Sequence, residues 1–198
     1  IGDADAIGEL DDITQVAPVH QGTQQVVYGA KNWSTAVVGT TPSYLDARSW
    51  ALSGGYGFDE TDVRSATRVA VVGITVVENL FEPGENPIGK TIRINNTPFE
   101  IIGTLGAKGQ NLDGRDQDDT ILVPLTTAQR KVFGVPFAGS VRTIMVQASS
   151  AEAMPSVEKE VTALLRQRHR IRDDADNDFS IRNLAAAADS AAATTRVM

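Results

Sequence analysis

The longest apolar run in the chain extends only from Val69 to Val77 and is punctuated by Gly73, and this limit constrains the fold more than any other feature. A bilayer-spanning helix needs about 20 consecutive apolar residues, so none can be drawn here, and the core must be assembled from many short elements. The run itself reads as two of them. RVAVVG (68–73), β-branched and unbroken, has the pattern of a strand buried on both faces, and Thr75 to Phe81 reads as a short helix. Aliphatic side chains carry the core: 41% of the 198 residues are hydrophobic but only 6% aromatic, with 17 Gly and 8 Pro to make turns. That is a folded, turn-rich chain long enough for one domain or two small ones.

Other segments follow the same local rules. Asp3 can cap a short helix through Leu10, with Ile7 and Leu10 on one face. From Ile13 to Thr40, ITQVAPVHQ, TQQVVYGA and, after a turn at Lys31-Asn32, WSTAVVGT predict two or three strands. Thr41-Pro42 carries a helix-start signal, and glycines 54, 55 and 57 mark a loop. TIRINNTPFEIIGTL predicts a hairpin turning near Asn95-Asn96-Thr97. The polar stretch from Lys108 to Asp119 is expected to be a mobile, solvent-facing loop, followed by the strand ILVP and the short helix TTAQRKVF. Arg142 to Ala148 alternates as a strand. Glu152 to His169 is the clearest helix, with Val157, Val161, Leu164 and Leu165 in one apolar stripe and Arg166, Arg168 and Arg170 at its C-terminal end. After the acidic loop Asp173–Asp178, FSIRNL reads as another strand, which makes a βαβ-like unit. The alanine-rich stretch after Leu184 predicts an exposed helix leading off the body. The chain starts at Ile1 without an initiator Met, which points to a segment of something larger.

Charge and residue types narrow the chemistry. With 18 Lys+Arg against 25 Asp+Glu the net charge is -7, the wrong sign for a protein that tracks a nucleic acid backbone. The absence of cysteine removes zinc ribbons, iron–sulfur clusters and thiol nucleophiles. GENPIGKT (84–91) satisfies the phosphate-loop expression letter for letter. Its context is wrong, because a helix enters and the strand TIRIN leaves, where phosphate binding needs the reverse order, and Pro87 removes an N–H donor. Only His20, at a strand-to-turn junction, and His169, among arginines at a helix end, could serve a hydrolytic triad, and no nucleophile elbow occurs. Asp113, Asp116, Asp118 and Asp119 do not follow the spacing of a calcium loop and read as a solvated loop. Trp33 and Trp50 read as core residues, with interface anchors as the alternative.

Several consecutive blocks resemble one family, the periplasmic core domain of MacB-type ABC transporter permeases, which includes the lipoprotein-releasing permeases. They are VAPV (16–19), VVGTTPSYLDARSWALSGGYGF (37–58), RVAVVG (68–73), NLFEPGENPIGKTIRINNTPFEIIG (79–103) and QDDTILVPLTTAQRKVFG (117–134). The resemblance covers nearly the whole chain, and NPIGKTIRIN is itself a family block, which accounts for the accidental phosphate-loop match.

The resemblance implies an α+β, two-lobed domain of a bacterial inner-membrane protein, placed on the periplasmic side between the first and second transmembrane helices. A discontinuous βαβ-type Porter-like lobe would use residues 1–44 and 141–183, and a mixed, β-rich Sabre-like lobe would be inserted at 45–140. Residues 184–198 would form a helix leading to a transmembrane segment. Arg142–Ala148 would then pack beside an N-terminal strand rather than beside the hairpin at 91–105. The implied role is mechanotransmission without catalysis: a fused or separate ABC ATPase domain supplies the energy, two copies of the permease form a homodimer, and the periplasmic domains engage an adaptor or substrate in efflux or lipoprotein release. No catalytic, cofactor or metal residues are expected. Asn111, Leu112 and Asp113, at the centre of the polar loop, are the candidate partner contact. The rival reading is an extracytoplasmic peptide or small-ligand binding module, which would need a concave apolar pocket.

Overall fold

The computed structural model describes residues 1–111, 114–135 and 140–183, so residues 184–198, the stretch expected to lead toward a membrane, lie outside the described residues. The fold is a mixture of helix and strand in two compact units, one comprising Ile1 and Ala17–Met145 and the other Gly2–Val16 with the chain from Val146 onward. The sequence expectation placed the lobe boundaries at 44/45 and 140/141. Strand β1 (Ile13–Tyr28) and strand β8 (Thr143–Ala148) each contribute to both units.

The larger unit is built on a ring of strands. β1 turns at Gly29-Ala30, with Gly29 at φ +56°, into the antiparallel β2 (Lys31–Thr40), so the turn lies two residues before the expected one. β1 is one continuous strand because this ladder runs unbroken from His20↔Gly39 to Tyr28↔Lys31. β2 pairs in parallel with β7 (Thr120–Pro124), β7 antiparallel with β4 (Val69–Val72), and β4 in parallel with β6 (Thr97–Leu105). β6 forms the expected hairpin with β5 (Thr91–Ile94) through Asn95 and Asn96, both at positive φ as a two-residue hairpin turn demands. β5 returns to β1 at Val26↔Ile94 and Val27↔Arg93, which closes the ring.

Period-2 alternation divides the ring's side chains between two cores. On one face Val26, Val37, Ala70, Val72, Ile92, Ile94, Phe99, Ile101, Ile121 and Val123 meet Val76 and Leu80 of helix α4 (Ile74–Leu80). On the other, Val38, Val71, Ile102 and Leu122 meet Tyr44 of helix α2 (Ser43–Ala47), Val63 of helix α3 (Glu60–Ser65), Trp50 and Phe58. Val69–Val72 of RVAVVG is apolar throughout because both of its faces are covered, as its pattern predicted.

Three local expectations need correction in this unit. Leu52–Gly55 is strand β3, not a loop, and pairs with the C-terminal half of β6. Gly55 sits there at φ +69°, where a Cβ would lie 2.2 Å from the Ile102 carbonyl oxygen. Helix α3 was not anticipated, although its signal is present: Asp59 accepts from the Thr61 and Asp62 amides while Asp62 caps the Asp59 amide. TTAQRKVF is a short helix α5 (Leu125–Thr127) that widens into a π turn over Ala128–Val132.

In the smaller unit, helix α1 (Gly2–Gly8) lies against α6 (Met154–Arg168), with Ala4 and Ile7 buried on one side and Val157, Val161 and Leu165 on the other. β8 is the sheet neighbour of β1, as expected, with the Ser149 amide donating to Asp12 O at 2.7 Å and Thr14 Oγ1 to Gln147 O at 3.2 Å. Because β1 also pairs with β5, β8 and the 91–105 hairpin nevertheless belong to one hydrogen-bonded sheet. Residues 179–183 are not a strand. Phe179 instead sets its ring edge-on to His169, so no βαβ unit is completed there.

Candidate functional site

The polar stretch between β6 and β7, expected to be a mobile, solvent-facing loop and called the finger below, is hydrogen-bonded into the fold at its base. Its base is held by Asp118, buried although charged, whose two carboxylate oxygens accept the Lys108 and Gly109 amides at 2.8 and 2.9 Å. Asp116 accepts from the Asp118 amide and from Thr75 Oγ1 at 2.6 Å, and Asp119 accepts from Trp33 Nε1 at 2.8 Å. Gln110 and Asp116 pair as an antiparallel bridge. Toward the tip, Asn111 binds Arg115 twice: its amide donates to Arg115 O and its Oδ1 accepts the Arg115 amide. Of the candidate contact residues, Asn111 is thus tied to Arg115 across the stretch, whereas Leu112 and Asp113 lie outside the described residues. Each described aspartate is committed to a donor within the fold, and among the described residues no three His, Asp or Glu side chains converge as a cation would require.

Beside this base lies a feature that sequence reading missed. Trp50, buried as expected, donates Nε1–H to Gly106 O at 2.7 Å. Two cations share its ring: Lys108 Nζ lies 5.2 Å from the ring centroid and the Arg48 guanidinium carbon 5.8 Å, while Arg48 also lies 5.9 Å from the Tyr44 ring. Arg48 Nη2 donates to Gln117 Oε1 at 2.6 Å, and Lys108 Nζ donates to the Arg48 carbonyl. Burial pushes the Lys108 ammonium below its ordinary range, and the Arg48 charge pushes it further. The only sequence signal was ARSW, with nothing to connect it to a lysine sixty residues away.

GENPIGKT is a turn in which four of the backbone amides already have acceptors. The Glu85, Gly89 and Lys90 amides donate to the Glu82, Ile101 and Pro87 carbonyls, and the Ile88 amide donates to Asn86 Oδ1. Lys90 Nζ faces Glu85 at 3.8 Å, whose carboxylate also accepts Tyr28 OH at 2.7 Å and is held below the usual range by that bond. A phosphate cradle needs free amides and no carboxylate in its centre.

His20 lies within β1, not at its end, buried against Phe133 with ring centroids 5.0 Å apart; burial lowers its pKa, with Arg142 adding to the effect. Its Nδ1 has no partner among the described residues. His169 is gripped at both ring nitrogens, Nδ1 by Asp178 at 2.8 Å and Nε2 by Asp3 at 3.0 Å, so neither of its nitrogens is bonded to a hydroxyl nucleophile. Of two surface depressions, one around Gln24, Arg93 and Asn96 has mainly polar walls, and the other, around Arg166, Gln167 and Arg170, is lined by Ala163 and Ile171 as well and is about as apolar as it is polar. No helix among the described residues is long and apolar enough to cross a membrane.

Residues 1–164 match the family model described as the MacB-like periplasmic core domain. The chain is 38% identical over 177 residues, 89% of its length, to the macrolide export ATP-binding/permease protein MacB of Chlorobium luteolum. Over an alignment of 248 positions that takes in 99% of this chain, it is 32% identical to the protein of the same name from Syntrophobacter fumaroxidans. It covers 26% and 34% of those proteins, about a quarter to a third of the length of the curated relatives it matches. The solved periplasmic region of MacB from Actinobacillus actinomycetemcomitans superposes with a TM-score of 0.77 at 26% identity, over 96% of this chain and 80% of that one.

Proposed function

The chain belongs to the MacB-like periplasmic core domain family, and from that premise we propose that it is the periplasmic part of an ABC transporter permease in a bacterial inner membrane, working as a non-catalytic lever. ATP hydrolysed by a cytoplasmic domain, fused or separate, moves the membrane helices, and two copies of this domain in a homodimer carry the movement to a periplasmic adaptor or substrate. The observation that carries the reading is the family match across residues 1–164, together with relatives that are several times longer and named as ATP-binding permeases. The proposed lobes are a Porter-like one from 1–44 and 141–183 and a Sabre-like one from 45–140, with 184–198 continuing toward the membrane. Asn111, Leu112 and Asp113 are the proposed partner contact, and the hydrogen-bonded base supports this role because it ties the stretch to the body of the fold. The settled hydrogen bonds of GENPIGKT favour a lever over a nucleotide enzyme.

Two experiments on the full-length transporter test this. Replacing the domain by a short linker should leave ATP hydrolysis running and abolish transport; transport without the domain would refute the lever. Shortening the finger across 111–115 should abolish transport at normal protein level and hydrolysis, whereas unchanged transport would refute the contact.

A further inference from the structure

Arg48 and Lys108 share one aromatic ring, yet neither pairs with a carboxylate among the described residues, although the neighbouring segment is among the most acidic in the chain. Asp116, Asp118 and Asp119 would be the natural counter-ions, but their bonds go to backbone amides, a threonine hydroxyl and an indole N–H. Like charges brought together in a partly buried place repel, and among the described residues no carboxylate pairs with either of them. The pair is also held in position: Trp50 is fixed to Gly106, Arg48 to Gln117 and Lys108 to the Arg48 carbonyl. A guanidinium fork beside an ammonium on an aromatic floor suits a planar carboxylate.

We propose that Arg48 and Lys108, seated on Trp50, form a binding site for a carboxylate side chain of an acidic peptide segment in a partner protein. Charge complementarity selects the occupant, and the site's place at the base of the finger makes it the anchor beside the tip contact. For the identity of that occupant, the proposal rests on the partner-contact reading above.

The test uses this chain and a short capped peptide rich in Glu and Asp, with its Gln and Asn counterpart and inorganic phosphate as comparisons. Nitrogen-15 NMR of the two indole N–H groups reports binding. The acidic peptide should shift the Trp50 signal saturably and raise the Lys108 pKa, and the amide counterpart should do neither. Arg48→Gln and Lys108→Gln should each weaken the acidic peptide by about tenfold or more. Lys31→Gln makes the same change in net charge at a lysine paired with Glu82 and should leave affinity unchanged, and a retained Trp50–Gly106 hydrogen bond shows that each variant is folded. No Trp50 shift at millimolar peptide, equal weakening by all three variants, or phosphate binding as tightly as the peptide would overturn the proposal. Absence of binding would leave the lever reading standing, and unchanged transport by a finger-shortened transporter would remove the partner contact while leaving a measured peptide affinity intact.

Discussion

Asp3→Asn should weaken the loss of the smaller unit's stability as pH rises through the His169 titration. Both ring nitrogens of His169 face carboxylates, Asp178 and Asp3, so the imidazolium is the form that can donate to both, and its pKa is raised above 6.5 by the hydrogen bond to Asp178 first and Asp3 second. Arg168 Nε shares the Asp3 carboxylate at 2.8 Å, and the two cations together lower the Asp3 pKa from 3.8. For a cation with a raised folded pKa, the stabilisation is complete below 6.5 and is lost as pH rises through the folded value. Asp3 contributes above 3.8 and is lost as pH falls through its lowered value. A charge-assisted bond is worth about 1.5–3 kcal/mol when buried. His169 and Asp3 are 27% and 34% exposed and Asp178 is 60% exposed, so solvent screening reduces the Asp3 link to about 1 kcal/mol and the Asp178 link to less. Titration of the His169 Hε1 proton, with amide exchange along α1 over the same pH range, measures both effects. The native chain should show His169 titrating above 6.5 with α1 protection falling in step, and Asp3→Asn should move the midpoint down and flatten the protection curve. A His169 midpoint at or below 6.5, or α1 protection insensitive to pH through the titration, would refute the reasoning.

Lys90→Ala should leave the chain without nucleotide affinity, as before the change, and micromolar ATP binding by calorimetry that disappears in this variant would contradict the turn assignment. Gly55→Ala places a Cβ 2.2 Å from the Ile102 carbonyl oxygen at φ +69° and should cost about 3 kcal/mol or more in denaturant unfolding. Phe99→Ala empties the centre of one core and should cost about 3–5 kcal/mol by the same measurement. Asp118→Ala leaves the Lys108 and Gly109 amides without acceptors, a loss of about 2 kcal/mol visible as faster amide exchange at the finger's base.

What the sequence determined by itself is what neighbours along the chain decide. RVAVVG is a strand because its β-branched run allows little else, the Asn95-Asn96 hairpin follows from two residues that tolerate positive φ, and α6 follows from its apolar stripe. The order of blocks was enough to identify the family. Tertiary structure decided everything that depends on a distant partner. LSGG has poor strand propensity and becomes β3 only because β6 offers an edge, with Gly55 fitting where a side chain would strike Ile102. FSIRNL has good propensity, yet its described residues 179–183 form no strand and Phe179 is taken up against His169. Asp116, Asp118 and Asp119 looked like a solvated cluster, and the fold turns each into a brace. Arg48 and Lys108 are unrelated in sequence until β3 and β6 bring Trp50 beside the finger's base. Propensity and patterning act over a few residues, whereas ladder partners, cavities and charge pairs are set by loop closure across tens of residues, which local sequence does not encode.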